Sequence, residues 1–170
     1  MPRSFMLVAA LLAATATPSQ VFAADTVFVI RHLQKAQGSD PPLSAEGAAN
    51  AQALAGMLAR SGIRAIFATP TRRAMQTAEP LATKLAIKVT SYDPARPEAL
   101  AAAVGAIPGA VLIVGHSNTV PDLVARLGGK GPVSVGEQDY GTVFVVTSDG
   151  TVSQVKVQRV PSVAGPGGAG

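Results

Sequence analysis

No cysteine occurs anywhere in the 170 residues. Disulfides, thiol nucleophiles and thiolate metal sites are therefore excluded together. The compartment stays open on that ground, because exported domains of this size also fold without disulfides. Tryptophan is absent too, and two Tyr and five Phe make up the whole aromatic complement. That is too few for the stacking platforms that bind single-stranded nucleic acids. Acidic residues are the minority charge, ten against fourteen Lys and Arg, but a net +4 is mild basicity rather than a nucleic-acid signature. Histidine occurs only twice, at positions 32 and 116.

What is present falls into three stretches. The first, "MPRSFMLVAALLAATATPSQVFAAD", has a basic start at Arg3, an apolar region from Phe5 to Ala14, and a small-x-small site at Val21, Phe22 and Ala23. This is the layout of a secretory signal peptide over residues 1–23, and the apolar part is short for a spanning helix. The expected location is periplasmic or secreted, with membrane contact only before cleavage. Removing residues 1–23 leaves 147 residues, enough for one core, and lowers the net charge to +3 through the loss of Arg3. Residues 24–160 read as that single domain. The tail from Pro161 to Gly170 is rich in Gly and Pro and reads as a disordered end.

Within the domain, strand-like and helix-like stretches alternate. Val27 to Ile30 and Val111 to Val114 are continuously apolar runs, the pattern of strands covered on both faces. The segment "QKAQGSDPPLSAEG" reads as a loop, and Ser44 as the cap of a helix with Gly47, Ala51, Leu54 and Leu58 on one face. "IRAIFATP" is a strand leading to a second helix from about Thr71. There Ala74, Ala78, Leu81 and Leu85 recur at the same spacing, and Pro80 predicts a bend or interruption. "IKVTSYD" is a third strand, followed by a helix over 98–106. Val120, Leu123, Val124 and Leu127 mark a last helix, which Ser117 and Asn118 would cap. "TVFVVTSDGTVSQVKVQRV" is a hairpin turning at Asp149–Gly150. The expected fold is a three-layer α/β/α sandwich with a mostly parallel sheet and an antiparallel edge hairpin.

In such sheets ligands bind at the carboxyl ends of the strands. Arg31 and His32 follow the first apolar run, His116 follows the fourth, and Arg72 and Arg73 follow the second. Two imidazoles and two or three guanidiniums on one rim suit a dianion, because Arg offers a planar fork of donors that matches phosphate oxygens. Neighbouring cations push a histidine's pKa down, leaving a ring nitrogen free to attack phosphorus. Hydrolysis would then run through a phosphohistidine.

Four segments, "IRHLQK", "LSAEG", "ATPTRRAMQTA" and "VGHSNT", together resemble the histidine phosphatase superfamily, the phosphoglycerate-mutase-like fold. The resemblance spans roughly Val27 to Leu127. It implies His32 as nucleophile and Arg31, Arg73 and His116 as the phosphate pocket, with no metal and no cofactor; Arg72 is a solvated neighbour. Where the family has a small residue and then, in short members, Glu, this chain has Leu33 and Gln34. Leu33 implies a narrower pocket or an altered backbone approach to phosphate. Asp93 is a candidate general acid beside its reading as an Asp-Pro turn residue; Glu46 and Asp122 are weaker candidates at helix starts.

The expected function is an exported, metal-independent phosphomonoesterase acting on a small phosphorylated substrate. The alternative is a non-catalytic phosphate- or phosphosugar-binding protein of the same fold, motivated by Leu33, Gln34 and the unassigned acid. A serine esterase built on Ser117 is a third reading, but Thr119 stands where the nucleophile elbow needs Gly, and no histidine follows. Glu137, Asp139 and Tyr140 can border the pocket, although a surface loop is the simpler reading. The sequence fixes no oligomeric state.

Overall fold

The computed structural model describes residues 24–157; the signal segment read over 1–23, the last residues of the expected domain and the tail from 161 lie outside the described residues. In chain order the elements are β1 (Ala24–Arg31), α1 (Ala45–Leu58), β2 (Ile63–Ala68), α2 (Arg72–Leu85), β3 (Val89–Ser91), α3 (Pro97–Gly105), β4 (Gly109–Gly115), α4 (Val120–Arg126), β5 (Thr142–Thr147) and β6 (Val152–Lys156). They build one six-stranded sheet in the order β3-β2-β4-β1-β5-β6. The first four strands of that order are mutually parallel, and β5 and β6 are antiparallel additions at one edge. The expected α/β/α sandwich is the observed one.

The continuous apolar runs have the cause expected of them. Alternate residues of each central strand feed different layers. Ile30, Ile66, Leu112 and Val114 pack with Leu54, Leu58, Ala78 and Leu81 of α1 and α2. Val29, Phe67, Val111 and Ile113 pack with Leu100, Val104, Leu123 and Val124 of α3 and α4 on the other face. Each fully buried aliphatic side chain contributes about 1.5–3 kcal/mol, so a polar residue on either face of β1 or β4 would be strongly selected against.

Two expectations are corrected. Of the bend or interruption expected at Pro80, the interruption does not occur, because α2 runs unbroken from Arg72 to Leu85. The proline removes one backbone donor, but Ala74, Thr77, Ala78, Leu81 and Ala82 hold the helix against the sheet along its buried face. Ser117 and Asn118 do not cap α4; Thr119 occupies the cap position. Ser44 does cap α1, accepting the Gly47 N–H at 3.1 Å.

Gly47 lies in the first turn of α1 against the chain leaving β1. A Cβ there would stand 2.0 Å from the Gln34 carbonyl oxygen, a backbone atom that cannot swing aside. Gly56, on the same helix, is exposed and has nothing within 4 Å of the corresponding position. Gly56→Ala is therefore expected to stabilise by roughly 0.5–1 kcal/mol through helix propensity. Gly47→Ala, with the same propensity gain, is expected to destabilise by about 1–3 kcal/mol through overpacking. Urea unfolding of both variants checks the pair, and equal effects of the two would contradict it.

Candidate active site

Strand pairing brings the chemistry to one rim. β4 lies between β1 and β2, with Arg31 beside Gly115 and Ala68 beside Val114. The residues after the strands stay locked together: His32 N–H donates to the Gly115 carbonyl at 2.9 Å, and Thr69 N–H to that of Val114 at 3.3 Å. His32, His116 and Thr69 thus emerge side by side. Gly115 is required where it stands, because a Cβ would come within 2.9 Å of Thr119 Oγ1 and 3.1 Å of Tyr92 Oη.

His32 is 3% exposed, and its ring meets that of His116 edge-on with centroids 5.3 Å apart. Its Nδ1 lies 2.8 Å from the Leu33 carbonyl oxygen. A carbonyl only accepts, so Nδ1 carries the proton and Nε2 of the neutral ring keeps its lone pair. Burial is the main force lowering the His32 pKa, to about 4, with Arg73, His116 and Arg31 adding to it against the Leu33 hydrogen bond. His116 is shifted down as well, by burial and then by Arg73 and Arg31. Its Nε2 lies 2.9 Å from the hydroxyl of Thr69.

The arginines are held from outside the cluster. Arg31, also 3% exposed, donates from Nη1 to the Gly136 carbonyl at 2.8 Å and from Nη2 to Glu137 at 3.3 Å and Tyr140 at 3.5 Å. Its guanidinium also lies 4.3 Å from the Tyr140 ring centre. Arg73 ion-pairs with Asp40 at 3.4 Å. The Nε atoms of both arginines are buried without a hydrogen-bond partner. Buried donors are nearly always satisfied, so two orphans of the same kind, one on each guanidinium whose charge acts on both histidines, mark a place for an acceptor.

The four residues expected to form the pocket, Arg31, His32, Arg73 and His116, are brought together. Asp93 is not joined to them: its carboxylate accepts the Ala95 N–H at 2.9 Å and pairs with Arg96 at 3.9 Å, both contacts of its own turn. Asp122 pairs with Arg126, and Gln34 donates to Glu46. Arg72 is exposed, as expected of a solvated neighbour. Leu33 does not narrow the pocket; its side chain is wholly buried in the core with Ile30 and Leu54. Gln34 instead ties the segment to α1 through Asn50 at 3.0 Å. Ser117 has no histidine partner, since its hydroxyl donates to Glu137 at 2.5 Å, which removes the esterase reading.

Two contributors, Thr77 and Thr69, were missed, and two more, Glu137 and Tyr140, were named as possible borders of the pocket but read first as a surface loop. Thr77 accepts the Leu33 N–H at 3.0 Å and donates to the Arg73 carbonyl at 2.8 Å, coupling the segment after His32 to α2. Thr69 holds His116, and both threonines sit inside the segment already singled out for Arg73. Glu137 and Tyr140 belong to the loop entering β5. Because β5 runs antiparallel to β1, its start lies at the rim where β1 ends. The expected hairpin was the signal that could have placed that loop. Among the described residues, no group of three or more His, Asp or Glu could hold a metal ion, and no helix is long and apolar enough to cross a membrane.

Comparison with known proteins agrees with this geometry. The family model of the histidine phosphatase superfamily (branch 1) matches residues 27–96, a span containing Arg31, His32 and Arg73. No curated protein matches the chain. Among solved structures, the protein histidine phosphatase SixA complexed with tungstate superposes with a TM-score of 0.62 at 22% identity, over 77% of this chain and 96% of that one. A mycobacterial glucosyl-3-phosphoglycerate phosphatase superposes with a TM-score of 0.57 at 17% identity, over 79% and 98% of the two chains. A protein described as mycobacterial hydrolase 1 gives 0.60 at 17% identity, over 78% and 96%. At these identities the superpositions speak for the fold, and the family match adds that residues 27–96, which carry Arg31, His32 and Arg73, are similar to the histidine phosphatase superfamily.

Proposed function

We propose that this protein is a phosphomonoesterase that works through a phosphohistidine on His32 and needs no metal. The observation that carries the reading is the pair of buried, unpartnered Nε donors on Arg31 and Arg73. A phosphoryl group satisfies both, and its charge compensates guanidiniums that the protein alone pairs only at their outer nitrogens. The tungstate in the related SixA structure is a tetrahedral oxyanion of the same kind.

In the first step His32 Nε2 forms a bond to phosphorus while the ester P–O bond breaks. Water then attacks the phosphohistidine, releasing inorganic phosphate and restoring the imidazole. Arg31, Arg73 and the ring nitrogen of His116 not engaged by Thr69 stabilise charge on the transferring group. Preorganised donors of this type are usually the largest catalytic contribution. Leu33, which motivated a binding-only role, points away into the core and obstructs nothing. The layout of residues 1–23 favours export, so we place the substrate, a small phosphorylated molecule such as a phosphosugar, outside the cytoplasm.

Two outcomes check this. With an aryl phosphate and EDTA present, turnover is expected to persist in the wild type and to fall by at least about a thousandfold in His32→Ala. Arg73→Ala is expected to lose on the order of a hundredfold to a thousandfold. Equal rates for wild type and His32→Ala would sink the nucleophile.

The second outcome concerns protonation. In the folded protein the His32 imidazole is expected to titrate near pH 4, followed by NMR, against about 6.5 in the unfolded chain. Between those values the unfolded state binds more protons, so stability rises with pH from about 4 to 6.5 on this account and His32 contributes no slope above it. A His32 midpoint at or above 6.5 would contradict the burial argument.

A further inference from the structure

We propose that Glu137 is the proton donor to the departing oxygen and, in the second half of the reaction, the acceptor of the proton from the attacking water. This rests on the phosphoryl-transfer reading of His32. An alkoxide is a poor leaving group unless it is protonated as its bond to phosphorus breaks, so a substrate with an alkyl leaving group needs an acid.

In-line attack places the leaving oxygen opposite the nucleophile. His32 is buried beneath the rim, so the leaving group must point outward, to the solvent side of the two arginines. Among the described residues, two carboxylates are bonded to those guanidiniums, Asp40 to Arg73 and Glu137 to Arg31. They differ in what protonation would undo. Asp40 accepts the Arg72 backbone N–H with both oxygens, at 3.1 and 3.4 Å, besides pairing with Arg73, so it is fixed as an anion at the start of α2. Glu137 is bonded to one guanidinium nitrogen and to the hydroxyl of Ser117. A hydroxyl can turn round and accept, which lets it follow the carboxyl through both protonation states.

Arg31 does not depend on Glu137 for its position, because Nη1 stays on the Gly136 carbonyl and the ring of Tyr140 lies against the guanidinium. The loop itself is shaped by Asp139, which accepts the Gly136 N–H at 2.8 Å. Glu137 is 78% exposed, so it can be recharged from water. Ser117, and then Arg31, hold its carboxyl below the usual range, with His32 and Lys35 acting in the same direction. A dianion on Arg31 neutralises that cation and adds negative charge beside the carboxyl, which raises its proton affinity when substrate arrives.

The proton balance closes. Glu137 gives its proton to the ester oxygen as Nε2–P forms and P–O breaks, leaving the alcohol and a carboxylate. The water that attacks from the vacated side gives a proton back to that carboxylate as P–N breaks, and phosphate leaves.

The test compares kcat/KM for an alkyl phosphate and for p-nitrophenyl phosphate, whose leaving group needs little protonation, in wild type, Glu137→Gln and Glu137→Asp. Glu137→Gln is expected to lose about a hundredfold or more on the alkyl substrate. Its loss on the aryl substrate is expected to be at least tenfold smaller, and Glu137→Asp should recover part of the alkyl turnover. Equal losses on both substrates would overturn the proposal by making Glu137 a positioner of Arg31, as would no selective loss on the alkyl ester. Dependence of aryl turnover on His32, measured beside these, reports separately whether the underlying phosphoryl transfer stands.

Discussion

β4 has β1 on one side and β2 on the other, both parallel to it, and their register leaves three chain segments departing from the sheet at one level. The hydrogen bonds of His32 to Gly115 and of Thr69 to Val114 extend that register one residue past the strands. His32 and His116 therefore cannot drift apart without breaking ladder bonds in the best-buried part of the molecule. Thr77 adds a third tie, joining the segment after His32 to the helix that carries Arg73. A site assembled this way is rigid because its supports are strands and helices, which is what preorganised electrostatics requires.

The electrostatic logic follows from burial. Two guanidiniums beside two imidazoles would be a poor arrangement if the imidazoles were charged. Desolvation and the arginines act in the same direction on both rings and keep them neutral. The bond from His32 Nδ1 to the Leu33 carbonyl then selects the tautomer whose Nε2 can act as nucleophile. Balancing charge comes from the rim, where Asp40 and Glu137 meet the arginines at their terminal Nη nitrogens and leave the buried Nε donors free. The protein thus keeps its cations paired on one side and unsatisfied on the other.

Much of this was legible in the sequence, for physical reasons. Two apolar runs ending in Arg31–His32 and Gly115–His116 have the pattern of strands covered on both faces, and parallel strands in one sheet share a rim. What could not be read were contacts set by three-dimensional closure. The grip of Gly136, Glu137 and Tyr140 on Arg31 joins residues more than a hundred positions apart. Asp93 looked acidic and available, but it is tied up in its own turn after β3, the strand at the sheet edge on the far side of β2 from β4 and β1. Leu33 looked like an intrusion into the pocket because local sequence does not reveal which way a residue turns after a strand ends. Pro80 looked like a break because propensity weighs the missing donor and not the buried face that holds α2 in place.

The measurement that bears most directly on the account is to stop the protein during turnover of an aryl phosphate, by denaturation in base, and to locate covalent phosphate by peptide mapping. Acid-labile, base-stable phosphate on Nε2 of His32, present in wild type and absent when substrate is omitted, is the predicted result. Steady turnover with no phosphate on His32 at any time would contradict it, and would mean that the imidazole assists a direct attack by water instead.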